Sequence, residues 1–173
     1  MNAINLQTLK SELNKKSEGL LFCFGTSVTS QLIRLRTQET EGELVPSHVA
    51  MIYNGYIYES TTADVKVGSK RIPGGVRRWM LKDFFKAEKT KDTTYIYIPY
   101  ALNPKELERY IFYPYGVDTI VDYFFTNKSN GKSKGLICSQ YANRVTRIFP
   151  FDCCTPAQIF RKVIQDINEL CGD

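Results

Sequence analysis

The sequence predicts a mixed α+β fold, an antiparallel sheet packed with helices. Three observations point there. The stretch "SHVAMIYNGYIYEST" (47–61) holds two β-rich runs joined by Asn54-Gly55, and an Asn-Gly pair favours the left-handed angles of a two-residue hairpin turn. "GLLFCFG" (19–25) and "TTYIYIPY" (93–100) read as further short strands of apolar, β-branched and aromatic residues. Segments with helical spacing and helix-start residues surround them, the longest being "TPAQIFRKVIQDINEL" (155–170).

Each element has a local reason. In residues 4–15, Ile4, Leu6, Leu9 and Leu13 recur near helical spacing. The strand at 19–25 is ended by Gly25, and "SVTSQLIRLRT" (27–37) is expected to be a helix capped by Ser27. The hairpin comes next. "GGVRRWMLKDFF" (74–85) reads as a strand or turn leading into a short helix. "NPKELERYIFY" (103–113) is a helix with Asn103 as cap and Pro104 in its first position. Helices are also expected at 117–125, at 138–149 and, behind the cap Thr155 and Pro156, at 155–170.

A two-residue loop fixes the hairpin's register. Tyr53 should oppose Tyr56, Ile52 oppose Ile57, Met51 oppose Tyr58 and Ala50 oppose Glu59. Side chains alternate between faces. His48, Ala50, Ile52, Ile57, Glu59 and Thr61 therefore share one face, and Val49, Met51, Tyr53, Tyr56, Tyr58 and Ser60 the other. His48 and Glu59 become diagonal neighbours, about 7–8 Å apart at the backbone. The single histidine of the chain is thus set beside a carboxylate.

Composition narrows the function. A chain of 173 residues with 43% hydrophobic content suits one domain, spanning 1–173, with a real core. The net charge of +5 resides largely in lysine-rich stretches, "KDFFKAEKTK" (82–91) and "NKSNGKSKG" (127–135), which read as solvated loops. Zinc-finger spacing and aromatic RNA-binding motifs are lacking, so nucleic acid is not an expected partner. The five cysteines, Cys23, Cys138, Cys153, Cys154 and Cys171, form no regular framework, and their odd number suits a reducing compartment. A cytoplasmic location is expected, because the start shows no signal-peptide pattern and no apolar run is long enough to span a bilayer. One histidine and one adjacent cysteine pair do not make a metal site, and no cofactor is expected.

Cys138 is the candidate nucleophile. In "GLICSQYANRV" (135–145) it falls where a loop turns into a helix. A helix N-terminus and a nearby imidazole both favour the thiolate, because each brings positive charge to the sulfur. His48 would move the proton, Glu59 would orient the imidazole, and backbone N–H groups near Cys138 would hold an oxyanion. The plain alternatives are a buried thiol acting as a small hydrophobe, a hairpin histidine and a solvated strand carboxylate. Cys23, in an apolar strand, is expected to be core.

The order "LLFCFG", "SQLIRLRT", "PSHVAMIYNGYIYES", "GGVRRW…LKDFF", "GLICSQYANRV" and "TPAQIF" resembles the circularly permuted papain-like proteins of the NlpC/P60 superfamily, in particular the YiiX/YaeF-like branch, itself similar to a poxvirus protein family. The resemblance runs from about residue 19 to 160. It implies a permuted papain-like architecture with His48 as base, Glu59 as orienting residue and Cys138 as nucleophile. It also implies cleavage of an amide or ester through a thioester acyl-enzyme. "FYPYGVDTIVDYFF" is similar to an aromatic segment that precedes the nucleophile in that family, which makes Tyr115 a candidate substrate-binding residue. Glu18-Gly19 and Gln140 depart from the family's usual pattern. The expected activity is that of a cysteine peptidase or amidase, with cell-wall peptides as one target. The alternatives are a lipid acyltransferase or thioesterase using the same three residues, and a non-catalytic interaction module.

Overall fold

Asn54 and Gly55 adopt left-handed backbone angles, φ 49° and 77°, as a tight hairpin turn requires. They join β2 (His48–Tyr53) to β3 (Tyr56–Thr61). Met51 opposes Tyr58, Ile52 opposes Ile57 and Tyr53 opposes Tyr56, the register expected from the turn. This computed structural model describes residues 2–14, 16–25, 45–89, 92–116, 135–150 and 155–172. The helices expected at 27–37, with its cap Ser27, and at 117–125 lie outside the described residues, as do Cys153 and Cys154.

The hairpin sits inside a five-stranded antiparallel sheet. β1 (Gly19–Gly25) pairs with β2 on one side and with β7 (Thr93–Pro99) on the other. β6 (Gly75–Met80) pairs with β3, so the spatial order is β6-β3-β2-β1-β7. Between β3 and β6 the chain makes a separate two-stranded ribbon of β4 (Val65–Val67) and β5 (Lys70–Ile72). Its strands are three residues each, too short for a clear alternation.

Five helices, counted among the described residues, complete the mixed α+β fold. α1 (Leu6–Glu12) and α2 (Leu81–Glu88) pack on one sheet face, where Leu9, Leu13, Leu81 and Phe84 meet Leu21, Ala50, Ile52, Ile57, Trp79 and Tyr95. α3 (Pro104–Arg109), α4 (Cys138–Thr146) and α5 (Pro156–Cys171) cover the opposite face, where Leu107, Tyr141, Val145 and Ile159 meet Leu20, Phe22, Val49 and Met51. Both faces of β1 are therefore buried. That explains why "GLLFCFG" is apolar throughout rather than alternating.

Several ends differ from the expected ones, for local reasons. Asn5 caps α1 by accepting from the Thr8 N–H, while Ile4 exchanges backbone hydrogen bonds with Tyr95 and so extends the sheet instead of the helix. Residues 103–113 do not form one helix. Asn103 caps α3 and Pro104 opens it as expected, but the chain leaves the helix after Arg109 and Phe112 takes φ 72°. There the Phe112 N–H donates to Val76 O and the Val76 N–H donates to Tyr113 O. Both outer strands are thus partly covered by main-chain contacts, which blunts the exposed edge of a sheet. α4 stops at Thr146 rather than 149, because Arg147 is left-handed and the Asn143 amide binds both the N–H and the C=O of Phe149. α5 has the Thr155 cap and Pro156 opening read from the sequence, with Thr155 Oγ1 accepting from the Gln158 N–H.

Gly55→Val places a β-branched residue in the left-handed region, at a cost of about 1–2 kcal/mol. The expected outcome is a lower urea unfolding midpoint with an unchanged far-UV spectrum. An unaltered midpoint would show that the turn angles do not set the hairpin.

Candidate active site

Glu59 lies in the middle of β3 and is 6% exposed. β6 places Arg77 directly opposite it and Trp79 opposite Ile57, so all three side chains meet on the face that carries α1 and α2. The two carboxylate oxygens have different partners. Oε1 accepts from Arg77 Nη2 at 2.7 Å, Arg77 Nε at 3.0 Å and Trp79 Nε1 at 3.1 Å. Oε2 faces His48 Nε2 at 3.0 Å. Burial works against the carboxylate's charge. The hydrogen bond and charge of His48, followed by the charge and hydrogen bonds of Arg77, outweigh it and hold Glu59 below the usual carboxylate range.

His48 opens β2, and its side chain is 25% exposed. His48 and Glu59 share a face and meet side chain to side chain, although the Ala50–Glu59 pair that would make them diagonal neighbours is absent from the ladder. Glu59 faces Nε2 at 3.0 Å, and the Cys138 sulfur is the other charged partner of the ring. Burial lowers the imidazole's proton affinity. The charge and hydrogen bond of Cys138, then those of Glu59, more than offset this and raise it.

Cys138 reaches this imidazole from the other side of the sheet. Its helix, α4, packs on the opposite face from Glu59 and Arg77. The passage is an opening in the hairpin. The ladder of β2 with β3 holds from the turn to the Met51–Tyr58 pair, and the expected Ala50–Glu59 pair is not part of it. Beyond that point the strands engage residues 136–138 instead. Ser60 Oγ donates to Leu136 O, and the Val49 N–H is directed at the Cys138 sulfur. Residues 136–138 thus take up the contacts that the two strands give up.

The sulfur sits in the first position of α4. Burial raises its proton affinity. The charge and hydrogen bond of His48, with the N–H groups of Val49 and Ser139, outweigh burial and lower it. Just upstream, Gln140 Oε1 accepts from the Ile137 N–H at 3.2 Å, closing the helix start. Gln140, where the resemblance leads one to expect Glu, therefore serves as a local cap.

Tyr115 also belongs to this neighbourhood. It forms a parallel bridge with Leu136, and the Leu136 N–H donates to Pro114 O. Gly135 permits the approach, since a Cβ there would meet Pro114 O and Tyr115 O at 2.6 Å. Burial raises the phenol's proton affinity, and the Cys138 charge raises it further, which puts the ring within electrostatic reach of the sulfur.

All four residues singled out from the sequence, Cys138, His48, Glu59 and Tyr115, are brought together. Cys23 is buried in the core as expected, opposite His48 in the β1–β2 register. Cys171 is exposed on α5. Arg77 and Trp79 were not among the candidates. Their signal is weak, because "GVRRWM" holds two arginines and only the register with β3 decides which one faces Glu59. Among the described residues, no group of three or more histidine, cysteine or acidic side chains is arranged to hold a metal ion, and no helix is long and apolar enough to cross a membrane.

Comparison with known proteins gives no match to a family model, to a curated protein or to a solved structure.

The site's electrostatics have a measurable consequence. A thiol alkylates as its thiolate, and a depressed proton affinity moves the rise of rate with pH downward. Cys138, followed by peptide mass spectrometry, is expected to alkylate rapidly well below the ordinary thiol midpoint of about 8.5. His48→Ala removes the positive partner and should shift the rise upward, by about one unit or more. Identical profiles for the two proteins would exclude a thiolate held by His48.

Proposed function

We propose that this protein is a cysteine hydrolase that cleaves an amide bond through a Cys138–His48–Glu59 triad. The observation that carries the reading is the 3.0 Å contact of the His48 imidazole with the buried Glu59 carboxylate, in a ring whose proton affinity the neighbouring Cys138 sulfur raises. The permuted papain-like resemblance agrees with it, and a peptide-like amide, such as one in a cell-wall peptide, is the substrate class we favour.

The steps follow from the groups present. The Cys138 thiolate attacks the carbonyl carbon, and the carbonyl π electrons move onto oxygen. On this reading, backbone N–H groups near Cys138 stabilise the developing oxyanion. As the tetrahedral intermediate collapses, the C–N bond breaks and His48 gives its proton to the leaving nitrogen. The acyl group remains on sulfur as a thioester. Water then attacks, with His48 now taking the proton, and the carboxylic acid departs to regenerate the thiolate–imidazolium pair. An amine is a poor leaving group unless protonated. A histidine held in its protonated form therefore suits amide cleavage better than ester cleavage, where the leaving oxygen needs less help. Tyr115, within electrostatic reach of the sulfur, is the residue we assign to substrate binding.

A panel of peptide amides, cell-wall stem peptides and lipid esters tests the reading. Turnover of an amide is expected, with an acyl-enzyme on Cys138 trapped by acid quench and released by hydroxylamine. Cys138→Ala should abolish turnover with the fold intact, and His48→Ala should reduce it by about 10²–10⁴-fold, the usual contribution of general acid–base catalysis. Turnover restricted to lipid esters would select the acyltransferase or thioesterase chemistry. Full activity in Cys138→Ala would exclude both.

A further inference from the structure

Arg77 is a buried cation at the far end of the site, and every nitrogen of its guanidinium has a partner. Nε and Nη2 both donate to Glu59 Oε1, at 3.0 and 2.7 Å. Nη1 donates to Ala63 O at 2.8 Å, Pro73 O at 3.3 Å and Ile72 O at 3.4 Å, three carbonyls at or just beyond the ends of the β4–β5 ribbon. The guanidinium also lies over the Trp79 ring, 5.1 Å from its centroid, and Trp79 donates to the same carboxylate oxygen. Arg77 is as buried as Glu59 and Cys138, each 6% exposed. Four groups in sequence therefore alternate in sign: sulfur, imidazole, carboxylate, guanidinium.

Only the last of these keeps its charge at every pH a protein survives, because a guanidinium does not give up its proton. A buried Glu59 facing His48 alone has a neutral alternative, in which the proton passes to the carboxylate and the imidazole loses its anion. A fixed cation on Oε1 makes that alternative costly and keeps the lone pairs of Oε2 turned to His48. We infer that Arg77 is a positioning residue for the nucleophile: clamped by the carbonyls of Ala63, Ile72 and Pro73, it holds Glu59 against His48 and thereby keeps Cys138 in its reactive form. The inference rests on the Cys138–His48–Glu59 reading above. The ionisable groups involved are His48 from β2 and Arg77 from β6 around Glu59, Cys23 from β1 opposite His48, and Cys138 and Tyr115 on the far side of the imidazole.

The test uses the full chain and follows Cys138 alkylation by iodoacetamide against pH in Arg77→Gln and Arg77→Lys. Gln keeps hydrogen-bond donors but removes the charge. Lys keeps the charge but cannot reach Glu59 and the three carbonyls together. Arg77→Gln is expected to raise the alkylation midpoint by about one unit or more, as loss of a nearby opposite charge does, and Arg77→Lys to fall between it and the wild type. In a Glu59→Gln background, Arg77→Gln should add little further shift, because its effect passes through Glu59. A folded Arg77→Gln protein that titrates as the wild type overturns the inference, since a purely structural ion pair would change stability and not the midpoint. If Arg77→Gln does not fold, a wild-type midpoint in Arg77→Lys overturns it equally. A wild-type protein whose Cys138 already titrates as an ordinary thiol defeats the triad reading itself, a different result from either of these.

Discussion

The carboxylate of Glu59 is the constraint around which the site is organised. A charge placed this deep in a sheet would be strongly destabilising alone. It is tolerated because Arg77, Trp79 and His48 divide its two oxygens among them. Removing one partner of such a buried pair typically costs about 3–5 kcal/mol, whereas replacing the whole set with apolar residues can be neutral. A cluster of this kind is therefore a poor device for stability. It is a good one for fixing an imidazole in a single orientation and protonation state. The same buried face also carries Ile57, Trp79, Leu81 and Phe84, which pack into one core.

The sheet's two cores share the work. One, under α1 and α2, holds the carboxylate cage. The other, under α3, α4 and α5, holds the helix whose first residue is Cys138. Residues on opposite faces of a continuous sheet do not touch. They meet here because β2 and β3 part beyond Met51 and Tyr58, and because Leu136 and Cys138 take up contacts with Ser60 and Val49. Gly135 matters for the same reason, since it lets the chain pass within contact distance of Pro114 and Tyr115 before entering the fork.

Much of this was legible in the sequence where short-range rules apply. The Asn54-Gly55 turn fixed three strand pairs and, through alternation, the partnership of His48 with Glu59. Asn103, Pro104 and Thr155 marked helix starts because side-chain capping is a local event. What was not legible depends on pairing over distance. Arg77 and Trp79 became part of the site only through the β3–β6 register, and the intervening β4–β5 ribbon hides that register from any periodicity argument. α1 begins at Leu6 rather than at residue 4, because Ile4, apolar and well spaced for a helix, is drawn to the backbone of Tyr95. The helix opened by Pro104 stops at Arg109 for a related reason, as Phe112 and Tyr113 are diverted to Val76. The fork itself has no signature in either strand, because it is made by the segment that fills it.

That fork also constrains the order in which the molecule matures. The hairpin needs only neighbouring residues, so His48 and Glu59 can meet early. The sulfur arrives from ninety positions downstream (138 minus 48) and must close that long loop before it can enter. Until it does, the strand ends between Val49 and Ser60 have an empty seat, and the thiol, still in water, behaves as any unremarkable cysteine. On the reading proposed above, the paired thiol would form only once residues 136–138 have joined the two strands.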